Sequence, residues 1–167
     1  MKRLMLSAIL IVASSVFVLS QKQNKTTSSL VGTWKLIAWQ NRFPDGEIKY
    51  PFGRNPRGLL IYQPNGYMAI QVMKTPHPKV ASNDETKITA EEKISLFDSY
   101  VAYFGTYTVD WQKQIVTHKV EGDLSDTYLG TTQERPFELQ GDSLTISPRY
   151  TEDGKIVQGL RVFERVK

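Results

Sequence analysis

The chain has 167 residues, no cysteine, 21 Lys and Arg against 17 Asp and Glu, and 40% hydrophobic residues. That length supports one domain with a sizeable core, and the lack of cysteine excludes disulfides, thiolate metal sites and a lipidated N-terminal cysteine. Setting aside Lys2 and Arg3 reduces the 21 basic residues to 19 against 17 acidic ones, a balance that makes no electrostatic case for nucleic acid.

Lys2 and Arg3 precede a weakly polar to apolar run from Leu4 to Leu19, and Val18 and Ser20 stand at the −3 and −1 positions before Gln21. A basic start, an apolar stretch of roughly 15 residues and a small residue at the end read as a secretory signal over residues 1–20. The run is shorter than the ~20 apolar residues of a spanning helix. Export to the periplasm or the exterior is therefore expected, with no membrane span in the mature protein; an uncleaved N-terminal anchor is the alternative. Residues 21–29 are polar and read as a flexible lead-in, leaving 30–167 as one domain.

Through that domain helical periodicity is nearly absent, and short β-rich runs recur between turn residues. Strands are predicted at 31–40, 58–62, 67–73, 101–109, 114–121, 131–139, 143–147 and 156–166. Pro64-Asn65-Gly66, Gly141-Asp142 and Glu152-Asp153-Gly154 supply turns through a fixed φ or a residue that accepts left-handed φ. Asp110 to Lys113 makes a further hairpin loop with an unexpected Trp111. Pro76 and Pro78 make 75–84 a loop. Thr89-Ala-Glu-Glu then spells a capping box, which predicts one short helix from Ala90 to about Ser99. Its apolar face is either Ile94, Phe97 and Val101 or Leu96 and Tyr100. About eight antiparallel strands with short connections predict an all-β up-and-down barrel enclosing a cavity for one ligand; a sandwich is the alternative.

Specific residues carry a family resemblance. Gly32-Thr33-Trp34 opens the first strand, and Pro51-Phe52-Gly53 with Pro56 and Gly58 follows it. Leu60-Ile61-Tyr62 with Pro64, Gly66, Tyr67 and Met68, then Tyr100-Val101-Ala102-Tyr103 with Gly105, Thr106 and Tyr107, continue the pattern. His118, Val120 and Glu121 come next, then Gly130, Gln133, Arg135 and Phe137, and Gly141-Asp142 with Leu144 and Thr145. From Leu30 to Arg165 the chain resembles a bacterial and fungal lipocalin-like domain family. Phe163-Glu164-Arg165 departs from it by replacing a Trp-Glu-Arg. The resemblance implies a lipocalin-like barrel whose floor is closed by Trp34 beneath a basic residue of the last strand, Arg165 or Arg161. It implies little about function, since one fold hosts many.

Strand alternation gives the lining. His118 alternates in phase with Val116 and Val120 and points inward, as does Arg135 with Gln133, Phe137 and Leu139. Tyr103, Gly105, Tyr107 and Val109 share a face. On the strand 67–73 either Tyr67, Ala69, Gln71 and Met73 or Met68, Ile70 and Val72 face in. An inward Arg needs acceptors. Either Tyr103, Tyr107, His118, Gln133, Arg135 and Phe137 bind a ligand with an acidic or carbonyl group, or Glu121, Glu164 and backbone carbonyls satisfy Arg135 internally.

His77 and His118 are far apart and no metal-ligand spacing exists, so neither a metal nor a cofactor is expected. A Gly-x-Ser-x-Gly elbow and a phosphate-cradling glycine loop are both missing from the sequence. The expected function is binding of a small hydrophobic or amphiphilic molecule with a polar or acidic group. The alternatives are an isomerase, cyclase or lyase using His118 or a tyrosine as proton carrier, and a structural barrel filled by its own side chains.

Overall fold

The computed structural model describes residues 29–167. The signal-peptide reading of 1–20 and nearly all of the lead-in lie outside the described residues. Among the described residues ten strands form in chain order: β1 (Gly32–Arg42), β2 (Ile48–Lys49), β3 (Arg57–Tyr62), β4 (Tyr67–Met73), β5 (Tyr100–Asp110), β6 (Ile115–Asp123), β7 (Thr132–Gln140), β8 (Ser143–Ile146), β9 (Arg149–Glu152) and β10 (Lys155–Arg165). Every pairing is antiparallel, and β1 pairs with both β3 and β10. That second pairing closes β1, β3, β4, β5, β6, β7, β8 and β10 into an eight-stranded barrel and removes the sheet edges that a sandwich would keep. The short β2 and β9 flank β1 and β10 at one end, the mouth.

A helix, α1 (Ala90–Asp98), interrupts the strands after a 3-10 turn at Glu85–Lys87. The capping box is present: Thr89 Oγ1 accepts from Glu92 N, and the Glu92 carboxylate accepts from Thr89 N. Neither predicted apolar face of this helix is buried; Ile94 and Phe97 are 61% and 47% exposed.

The core fills the end opposite the mouth. Trp34, Leu60, Val72, Val116 and Leu144 are fully buried there and between the ends. On β4 the inward set is Met68, Ile70 and Val72, because the register pairs Tyr62 with Met68 and Leu60 with Ile70. Trp34 Nε1 donates to the Leu30 carbonyl at 2.8 Å. Arg165, its cross-strand partner, lies with its guanidinium 4.0 Å from the Trp34 ring and donates to the carbonyls of Val31 and Ser29. Of the two arginines considered for the floor, Arg165 is the one that sits there.

Between Leu36 and Ala38 the β1–β10 register shifts by a bulge. The extra residue reverses the phase of β1. Trp34 and Leu36 face inward below it; Trp39 and Asn41 face inward above it. Strict alternation would have placed Ala38 and Gln40 inside instead.

Candidate functional site

The barrel encloses a cavity of about 510 Å³ reaching the mouth. The mouth half of the barrel is thus open, and the floor half is filled by side chains. The cavity wall is largely apolar and aromatic, with Trp39, Phe52, Ile70, Tyr103, Tyr128, Tyr150 and Phe163 contributing. Phe52, from the β2–β3 loop, meets Trp39 edge-on at 5.2 Å. No side chain of α1 belongs to the lining.

The charged groups of the wall are all of one sign. Arg135 and Arg161 both line the cavity, Arg149 stands exposed at its rim, and among the described residues no Asp or Glu belongs to the wall. Arg161 is only 6% exposed. It donates to the carbonyls of Gln40 and Leu160 and to Asn41 Oδ1 at 3.0 Å, all neutral acceptors. Burial is the main cause that lowers its pKa to about 10, with the Arg135 charge adding to it. Arg135 donates to Gln133 Oε1 at 3.0 Å, and Gln133 Nε2 donates to Thr131 Oγ1. Glu121 and Glu164 are exposed on the outer face and satisfy neither arginine. Among the described residues neither guanidinium is ion-paired.

His118 is 1% exposed, and tyrosines engage both of its ring nitrogens. Nε2 is 2.8 Å from Tyr62 Oη and Nδ1 is 3.0 Å from Tyr103 Oη. Burial, followed by the Arg135 charge, pushes its pKa down to about 3, so the imidazole is neutral at ordinary pH. Burial raises the Tyr62 and Tyr103 hydroxyls above the usual phenol range. In this arrangement neither ring nitrogen is free to take a proton from a molecule in the cavity.

Tyr103, His118, Gln133 and Arg135 come together on the cavity wall, as alternation places them. Tyr107 and Phe137 face inward but do not line this cavity. Tyr107 donates to the Gln63 carbonyl at 3.0 Å and packs 4.6 Å from the Tyr62 ring, beside the β3–β4 turn. Phe137 packs edge-on against Trp111 at 5.4 Å, which accounts for a tryptophan in that hairpin loop. Both sit toward the floor, because Tyr107 bonds into the β3–β4 turn and Phe137 packs on the β5–β6 hairpin loop, two connections at the closed end. Trp39, Asn41, Tyr150 and Arg161 are wall residues that the sequence reading missed. Arg161 shares parity with Val157 and Phe163 on β10, a signal that was present; Trp39 and Asn41 are hidden by the bulge.

A closed barrel with an aromatic, arginine-bearing cavity defines a class of small-molecule-binding scaffold. The chain matches the lipocalin-like domain family over residues 31–165 and belongs to that family. It is also similar to the 4'-hydroxy-3'-methoxypropiophenone carrier protein ppsC of Aspergillus oryzae. The two are 33% identical over 86 residues, covering 48% of this chain and 78% of that protein.

Proposed function

We propose that this protein is an exported carrier that holds one small, largely apolar molecule in the mouth cavity, with an acidic or carbonyl oxygen directed toward Arg135. The observation that carries this reading is the wall itself: aromatic surface around Arg135 and Arg161, with Arg149 at the rim and, among the described residues, no carboxylate. A cavity of about 510 Å³ falls within the ~300–1,000 Å³ typical of small-molecule sites. Apolar burial supplies the favourable free energy, and the guanidiniums orient an acceptor group, since Arg donates five N–H groups and accepts none. The similar fungal protein is named as carrier of an aryl ketone, which has this combination of an aromatic body and acceptor oxygens. The basic and apolar start of the chain supports export.

The test is calorimetric titration with an arylcarboxylate and an aryl ketone, each against its hydrocarbon match, for the native chain and for Arg135→Ala. Tighter binding of the oxygen-bearing compounds that is lost in the variant supports the reading. Equal binding by both proteins removes Arg135 from the site. Export is checked separately by N-terminal sequencing of the protein recovered outside the cytoplasm; a start at Gln21 is expected.

A further inference from the structure

Tyr62 does not line the cavity; it is fully buried beside it, and the recorded partner of its hydroxyl is His118 Nε2. On the other side of the ring, Nδ1 meets Tyr103 Oη, which does belong to the wall. A neutral imidazole has one N–H and one lone pair, so the two phenols play opposite parts. If Nε2 held the hydrogen, Tyr62 would accept it and its own O–H would be buried without an acceptor, a costly outcome. If Nδ1 holds it, Tyr62 donates to Nε2 and His118 donates to Tyr103. Every buried hydrogen is then used, and the hydroxyl hydrogen of Tyr103 is left over at the cavity.

We infer that Tyr62, through His118, sets the hydrogen-bonding polarity of the cavity: the imidazole is held as the Nδ1–H tautomer, and Tyr103 becomes a donor that selects an acceptor oxygen on the occupant. This rests on the carrier reading only for its ligand half; the tautomer is a property of the empty protein. The neighbouring guanidinium reinforces the arrangement. Arg135 lies close enough to stabilise negative charge on Tyr103, and it disfavours a second proton on His118. Tyr103, Arg135 and Arg161 together then present donors to the cavity. A ligand offering only a donor hydrogen at that point meets no acceptor from this set. Tyr62 acts through His118, so it is a positioning residue for specificity.

Nitrogen-15 NMR of the His118 ring in the ligand-free chain at neutral pH tests the first half. A protonated Nδ1 and a bare Nε2 are expected; the reverse overturns the inference whatever the ligand. Tyr62→Phe removes the hydrogen bond to the bare Nε2, whose nitrogen resonance should then move downfield toward that of an unbonded imidazole nitrogen; an unchanged ring spectrum overturns the role of Tyr62. For the second half, acetophenone and ethylbenzene are compared by titration. Tyr103→Phe should weaken acetophenone roughly tenfold, about the worth of one hydrogen bond, and leave ethylbenzene unchanged. Equal effects on both overturn the donor role of Tyr103. Binding of neither compound to the native chain overturns the carrier reading and the selectivity with it, while the tautomer result stands.

Discussion

The guanidinium of Arg161 lies 3.9 Å from the ring of Trp39, its partner across the β1–β10 seam, and the pair sits in the cavity wall without a carboxylate. A buried cation supported by a π-face and neutral carbonyls has residual demand for an anion. Arg161→Met keeps much of the stem and removes the charge. Affinity for benzoate should fall tenfold or more, as for a lost charged hydrogen bond of ~1.5–3 kcal/mol. Affinity for ethylbenzene should stay within twofold. Titration calorimetry reads both.

Trp39 should also report the cavity. Ligand-dependent quenching of tryptophan fluorescence is expected in the native chain and in Trp111→Phe, and it should disappear in Trp39→Phe. Trp34 lies on the floor and Trp111 outside, against Phe137. Quenching that persists in Trp39→Phe would place the ligand elsewhere.

Acid should weaken the fold through His118. Its pKa drops from an ordinary 6.5 to about 3 on folding. Between those values the unfolded chain holds a proton that the folded chain lacks. Stability is therefore complete above pH 6.5 and falls as the pH drops, by at most ~1.4 kcal/mol per unit. Carboxylates held low by hydrogen bonds, such as Glu92, contribute only near and below their ordinary value of 4.5. Urea midpoints at pH 7 and 5 should separate in the native chain and converge in His118→Gln.

The floor depends on the shape of Arg165 as much as on its charge. Its Nη1 and Nη2 reach two different carbonyls at 2.8 and 2.7 Å while the plane covers Trp34. Arg165→Lys keeps the charge but cannot reproduce that fork, so about 1–2 kcal/mol should be lost. Trp34→Ala should cost ~3–5 kcal/mol. Chemical denaturation measures both; a neutral Arg165→Lys would show that the charge alone suffices.

Gly105 stands at the β5–β6 bulge, where a Cβ would collide with the Lys119 carbonyl oxygen. The obstacle is backbone of a paired strand, so it cannot swing aside. Gly105→Ala should lower the melting temperature markedly, at a cost of ~2 kcal/mol or more. An unchanged melting curve would mean that the two strands separate cheaply at the bulge.

Alternation made part of this site legible. On β6 and β7 the chain alternates cleanly, so the sequence alone places His118, Gln133 and Arg135 inside. Parity separates inside from outside but says nothing about height along the barrel. Height comes from where each strand meets its turns, and it puts Tyr107 and Phe137 on the inner face but at the closed end, away from the cavity wall. On β4 Tyr67, Ala69 and Met73 compete with Met68, Ile70 and Val72, so local hydropathy could not choose; pairing with β3 does. Trp39 and Asn41 were invisible because a bulge leaves no mark in composition. The two phenols on His118 come from strands 56 and 15 residues away in sequence, beyond any local pattern.

The bulge after Leu36 has a consequence for how such a barrel can diversify. Below it, β1 and β10 carry the Trp34–Arg165 closure; above it, the same two strands carry Trp39, Asn41 and Arg161. Strand β1 thus holds a foundation and a recognition surface in opposite phase, while β10 carries both in one unbroken phase. Exchanging side chains in the upper segment retunes the cargo without disturbing the foundation. Deleting Ile37 would remove the bulge and leave Trp34, Leu36, Trp39 and Asn41 as one uninterrupted inward series, whereas inserting one further residue there would turn the whole upper segment of β1 inside out.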